Sequence, residues 1–98
     1  MNIQAMMKQA QKLQKEMMEE KNKIDKMEFV GKSSFVTVKV NGEKKIISVT
    51  IEQEELGKED LELVEDMIVV ATNDAMKQVD DVTEQKMGKY TKGMPGLF

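Results

Sequence analysis

Apolar residues in the first stretch of the chain fall at Ile3, Met6, Ala10, Leu13, Met17, Ile24 and Met27, a spacing of three and four with one lapse at Glu20. That is a heptad pattern, and no Gly or Pro interrupts it. The spacing predicts a helix over residues 2–27. At ~1.5 Å per residue, 25 residues of helix are about 37 Å long. From Glu28 the period changes to two. Val36, Val38 and Val40 alternate with Thr37 and Lys39, and Ile47, Val49 and Ile51 alternate with Ser48 and Thr50. These runs predict two antiparallel strands with one apolar face. Asn41-Gly42 between them predicts a two-residue type I′ turn, which would set Val38 against Lys45 and Val36 against Ile47. A short strand over Glu28 to Lys32 is expected to pair alongside, although Gly31 weakens it. After Gly57 the period returns to 3.6, with Leu61, Val64, Ile68, Ala71, Ala75, Val79 and Val82 on one face. Glu59, Asp60 and Glu62 favour the start of this helix and Lys86 its end. Gly88 suits the residue just beyond it, so the helix is expected over residues 59–87.

The predicted order is helix, three-stranded antiparallel sheet, helix, an α+β fold. Residues 1–88 form a single domain and residues 89–98 a flexible basic tail. One chain has too little sheet to cover two helices of this length. The stripe on the first helix is therefore expected to be covered by a second copy. Ile3, Met6, Ala10, Leu13, Met17 and Ile24 then form the interface of an intertwined homodimer with long projecting helices. Glu16 and Lys21, at g and e positions, could pair across it. The alternative buries the stripe within one chain.

Composition narrows the chemistry. The 98 residues include no Cys and no His, and all 15 basic residues are Lys. Disulfides, thiolate metal sites and the commonest general base are excluded. No apolar run approaches the ~20 residues of a membrane span. Lys8, Lys12 and Lys15 interrupt any apolar leader. A cytoplasmic protein is expected.

"VGKSS" at 30–34 looks like the end of a phosphate-binding loop, but the position that needs the first Gly is Lys26. The acidic residues from Glu52 to Asp66 fail an EF-hand pattern at Leu56 and Leu63. The serines and threonines have no matched base in a recognisable spacing. No catalytic residue, metal, cofactor or small-molecule substrate is expected.

Charge is unevenly spread. The net charge is −3, yet residues 1–15 carry three Lys and no acid, and residues 85–98 repeat that balance. With Ile3 at position a, Lys8, Lys12 and Lys15 fall at f, c and f, opposite the apolar seam. Gln4, Gln11 and Gln14 flank them. Such a face can hold phosphates through ammonium groups and amides. Lys86, Lys89 and Lys92, with Tyr90, form a second basic group. The plain alternative is a solvated helix face.

"MMKQAQKLQKEM", "VTVKVNGEKKIISVTI", "LGKEDLELVEDMIVVATNDAMK" and "KMGKYTKGMPGLF" together resemble the YbaB/EbfC family of bacterial nucleoid-associated proteins over essentially the whole chain. The chain departs from the family pattern where Gly31 is followed by Lys32, Ser33, Ser34 and Phe35. It also departs at Met76, Lys77 and Gln78, where relatives often place Arg. The resemblance implies a helix–three strands–helix fold, a homodimer with projecting helices, and duplex DNA binding of low sequence preference at the nucleoid. Carried over by position, it implies contacts at Lys8, Gln11, Lys12, Lys15, Lys86, Lys89 and Lys92. The rival reading is a protein–protein adaptor in replication or recombination, with weak or no DNA binding, working through the Met-rich helix surface and the acidic block.

Overall fold

The computed structural model describes residues 2–91. Helix α1 covers Ile3–Asp25. Strands β1, Glu28–Ser33, β2, Val36–Asn41, and β3, Ile46–Ile51, form one antiparallel sheet in the order β1-β2-β3. A single 3-10 turn, Lys58–Asp60, leads into helix α2, Leu61–Thr91. The expected α+β architecture is the observed one.

Each boundary has a local cause. The Asn2 side chain accepts a hydrogen bond from the Ala5 amide at 3.2 Å and starts α1. The Gly57 amide donates to the Asp60 carboxylate at 2.9 Å and starts the turn before α2. Ser34 and Phe35 form the two-residue turn between β1 and β2, with Ser34 at a φ of 52°. The "VGKSS" stretch is thus a hairpin end, and no phosphate loop forms there.

The core lies between the sheet and α2. Val36, Val38 and Val40 are fully buried on the inner face of β2, with Phe29 beside them on β1. Val64, Met67, Ala71, Ala75 and Val79 are the buried residues of α2's sheet-facing stretch. Met67 joins this face beside the half-buried Ile68, while Leu61, expected on it, is exposed. Gly31 permits the close approach. A Cβ there would stand 2.0 Å from the Ala71 carbonyl oxygen and 2.7 Å from the Ala75 nitrogen. The residue that weakens the strand prediction is the one that lets α2 sit on the sheet.

Three expectations need correcting. The β2–β3 connection is not a two-residue turn. The Asn41 side chain accepts from the amides of Glu43 and Lys45, at 2.9 and 3.0 Å, and closes a longer loop. Its left-handed residue is Lys44, at a φ of 64°. Glycine is needed at position 42 for space, since a Cβ would lie 1.8 Å from the Ile24 carbonyl oxygen. The register shifts accordingly. Val36 faces Ile51 and Val38 faces Val49, with an irregularity at Lys39/Val40. Second, α2 does not end at 87. It continues to Thr91 because Met87 and Tyr90 are buried against Ile24 of α1, with Met17 and Met27 packed on them. Residues 89–91 of the expected tail are therefore helical, and residues 92–98 lie outside the described residues. Third, Ile24 is 0 % exposed within one chain, so its place in an intermolecular seam is already taken. Lys21 is likewise committed, to Asp25 one turn on.

α1 runs toward the sheet and the end of α2 runs away from it, so the two meet antiparallel around Ile24, Met87 and Tyr90. Residues 2–16 of α1 are exposed throughout. They form an arm, and the molecule measures 72 × 20 × 14 Å.

Candidate functional site

The arm carries the residues singled out by charge. Lys8, Gln11, Lys12 and Lys15 are all exposed on α1. Among the described residues none of these lysines is in an ion pair, whereas Lys21, Lys39, Lys44, Lys45 and Lys77 are each within reach of a carboxylate. Residues 2–15 contain no acid, and Glu16 and Glu19, one turn on from Lys12 and Lys15, form no ion pair with them. An unneutralised row of ammonium groups on an exposed helix is a natural partner for phosphate.

The second basic group sits at the base of the arm. Lys86 and Lys89 are exposed on the last turns of α2, whose Met87 and Tyr90 pack on α1. The Lys89 ammonium lies 5.0 Å from the centre of the Tyr90 ring, a cation–π distance. Lys92 lies outside the described residues. Positive charge thus lies along the arm and, from α2, where the arm joins the body. The longest acidic block lies along the β3–α2 connection and the first turns of α2, and α1 itself carries Glu16, Glu19 and Glu20 after the stripe. Among the described residues no group of acids is arranged to hold a metal ion, and no polar or charged side chain is buried. No described helix is long and apolar enough to cross a membrane.

The YbaB/EbfC DNA-binding family profile matches residues 1–94.

The chain belongs to that family.

It is 48 % identical over 97 residues to a nucleoid-associated protein of Lactococcus lactis subsp. cremoris, covering 97 % of this chain and 98 % of that one. A nucleoid-associated protein of Ligilactobacillus salivarius is 38 % identical over 99 residues, covering 99 % and 95 %. One from Bacillus licheniformis is 57 % identical over 65 residues, covering 64 % of this chain and 61 % of the relative. The family is one of DNA-binding proteins.

The expected seam residues divide. Ile3, Met6, Ala10 and Leu13 are exposed on the arm, Met17 is half-buried and Ile24 is buried in the chain's own core. A second bare apolar surface lies on the sheet, outside the sequence-based expectations. The valines of β2 are covered by α2, but Ile47, Val49 and Ile51 on the same face of β3 are 47, 44 and 39 % exposed. α2 explains this by its position. Gln78 Nε2 donates to the Val30 carbonyl of β1 at 2.7 Å, and Asp80 reaches Lys44 beside β3 at 2.5 Å. The helix thus lies over β1 and β2 and stops short of β3. Val69, three turns before Asp80 on the same flank, is also exposed. One sequence signal points to this surface. The run Ile46–Ile51 contains no charged residue and no Pro, which is unusual for an edge strand facing water.

Proposed function

We propose that the protein is a homodimeric nucleoid-associated protein that binds duplex DNA by its arms. The unpaired lysine stripe of Lys8, Lys12 and Lys15 on the exposed part of α1 carries this reading. Family membership supplies DNA as the polyanion. Lys86, Lys89 and Lys92 extend the contact, and Gln11 steadies it. The chain has no Arg, the side chain that most often reads guanine in the major groove. Its lysines serve as point charges on phosphate, so sequence preference is low. The role that follows is organisation of the nucleoid, with effects on transcription or repair arising through DNA architecture.

The dimer contact is best assigned to β3 and not to the α1 seam. β1, the other edge, carries Glu28 and Lys32 and gives its Val30 carbonyl to Gln78. β3 has none of these devices. Antiparallel pairing of two β3 edges would continue the sheet and bring each bare inner face against the partner's α2 flank at Val69. Both copies then present a basic arm, and one duplex meets two sets of lysines.

The test is a gel-shift titration at several salt concentrations with unrelated duplexes. Replacing Lys8, Lys12 and Lys15 by Gln should weaken binding to all duplexes by a similar factor. It should flatten log affinity against log salt by roughly 0.9 for each phosphate no longer neutralised. A triple variant that binds as well as wild type would remove the stripe from the mechanism. Binding insensitive to salt would favour the adaptor, for which the exposed Met6, Met7 and Met18 are the motivating observation.

A further inference from the structure

The lysines of the arm share their face with glutamines. Gln4, Lys8, Gln11 and Lys15 follow one another at intervals of four, three and four residues. At ~3.6 residues per turn they fall within an arc of about 60° on α1. Within that arc Gln4 and Gln11 lie to one side. Lys8 and Lys15 lie to the other, with Lys12 beyond them. The apolar seam of Met6, Ala10 and Leu13 occupies the opposite side of the helix. All five polar side chains are exposed. Among the described residues neither Gln4 nor Gln11 has a hydrogen-bond partner. Gln78 is different: the Val30 carbonyl accepts from it at 2.7 Å and Asp74 at 3.4 Å.

The bareness of the arm decides where this face can go. Residues 2–16 are exposed throughout, so no other element of the chain lies alongside them. A lone helix with its side chains is about 10–12 Å across. The major groove of duplex DNA is about 12 Å wide and admits it, whereas the minor groove, at about 6 Å, does not. In the major groove the lysine side of the face reaches the phosphates of one wall, and the glutamine side stands over the base edges. A glutamine amide offers both donors and an acceptor. Adenine presents N7 as acceptor and its N6 amino group as donor, a pair that one glutamine can engage at once. Gln4 and Gln11 are seven residues apart, about 10.5 Å along the helix at ~1.5 Å per residue, and that separation matches bases about two or three pairs apart. Glu19, one turn beyond Lys15 on the same side, ends the stretch that can face phosphate.

We propose that α1 lies in the major groove and that Gln4 and Gln11 contact adenine there. The lysines supply affinity whatever the sequence, and the two glutamines add a small bias toward A·T pairs. Gln11 thereby does more than steady the phosphate contact. The proposal rests on the DNA reading above, and the experiment separates the two.

Fluorescence anisotropy of the full-length protein would compare two duplexes of one A·T-rich sequence at fixed salt. In the second duplex every adenine is replaced by 7-deazaadenine, which removes the N7 acceptor and leaves the minor-groove edge unchanged. Wild type should bind the second duplex about fivefold or more weakly. Gln4→Ala with Gln11→Ala should bind both duplexes alike, at the level of wild type on the substituted one. Both substitutions are to a strong helix former on an exposed face, so the arm keeps its fold. Equal wild-type affinity for the two duplexes, or a double variant that still distinguishes them, would overturn the adenine contact and leave the phosphate reading standing. Wild type that binds neither duplex in a salt-sensitive way would overturn both.

Discussion

Gly31→Ala tests how α2 is seated. The added Cβ would stand 2.0 Å from the Ala71 carbonyl oxygen and 2.7 Å from the Ala75 nitrogen. Both are backbone atoms of a helix pinned by Val64, Val79 and Gln78, so no side chain can swing aside. An ordinary carbon contact needs ~3.5 Å or more, so α2 and β1 must part by more than an ångström. Ala71, Ala75 and Val38 around the site are all 0 % exposed, and parting the layers loosens each of them. Overpacking of this kind costs about 1–3 kcal/mol or more, while alanine returns about 0.4–1 kcal/mol by stiffening the unfolded chain. We expect a net loss of about 2 kcal/mol, a fall in Tm of roughly 8–16 °C for a domain this size. Circular dichroism melts at one fixed protein concentration measure it, because association would make Tm concentration-dependent. Gly88→Ala is the control. A Cβ there meets nothing within 4 Å, and the helical alanine should gain about 0.8–1 kcal/mol. A Gly31→Ala protein melting within about 2 °C of wild type would show that the close approach is not what holds α2 to the sheet.

Val49→Lys should leave the fold intact and give a monomer by light scattering at micromolar concentration; a dimer that survives it would remove β3 from the interface. Ile24→Ala should lose about 2–5 kcal/mol in a denaturant titration, with exchange in α1 accelerating most, because Ile24 joins the arm to Met87 and Tyr90. Asn41→Ala leaves two loop amides without their acceptor and should lower stability by about 1 kcal/mol in the same titration, since both amides can still reach water.

Regular periods are legible in the sequence, and close approaches are not. The heptad stripe, the valine alternation of β2 and the 3.6-residue pattern from Val64 to Val82 each form the element they predict. The β2–β3 loop misleads because Asn-Gly has two uses. It can supply positive φ for a tight turn, and here Gly42 instead leaves space for the Ile24 carbonyl while Asn41 folds its side chain into a longer loop. Gly88 misleads in the same way. Its missing side chain suggests an end, but burial of Met87 and Tyr90 carries the helix through it. In both cases a tertiary contact, invisible in local sequence, outweighs the local preference.

The candidate site is legible for a simpler reason. A stripe of Lys8, Lys12 and Lys15 without an acid among residues 2–15 needs only one assumption, that the segment is helical. What the pattern does not carry is which apolar surface meets what. A stripe such as Ile3, Met6, Ala10, Leu13, Met17 and Ile24 reads the same whether its partner is another copy, a neighbouring helix or the chain's own end. The structure divides it: Ile24 and Met17 go to the core with Tyr90, and the rest lies open. β3 meanwhile offers an uncharged edge beside a bare apolar face. Association through β3 leaves the arms outside the joint, which is where a basic stripe must be if it is to meet a duplex. Association along the α1 seam would also leave the lysines, at f and c, on the outer faces, so the choice between the two joints rests on the uncharged edge of β3. The apolar edge of the sheet therefore favours one arrangement, sheet to sheet, and the basic arms are free to project from it.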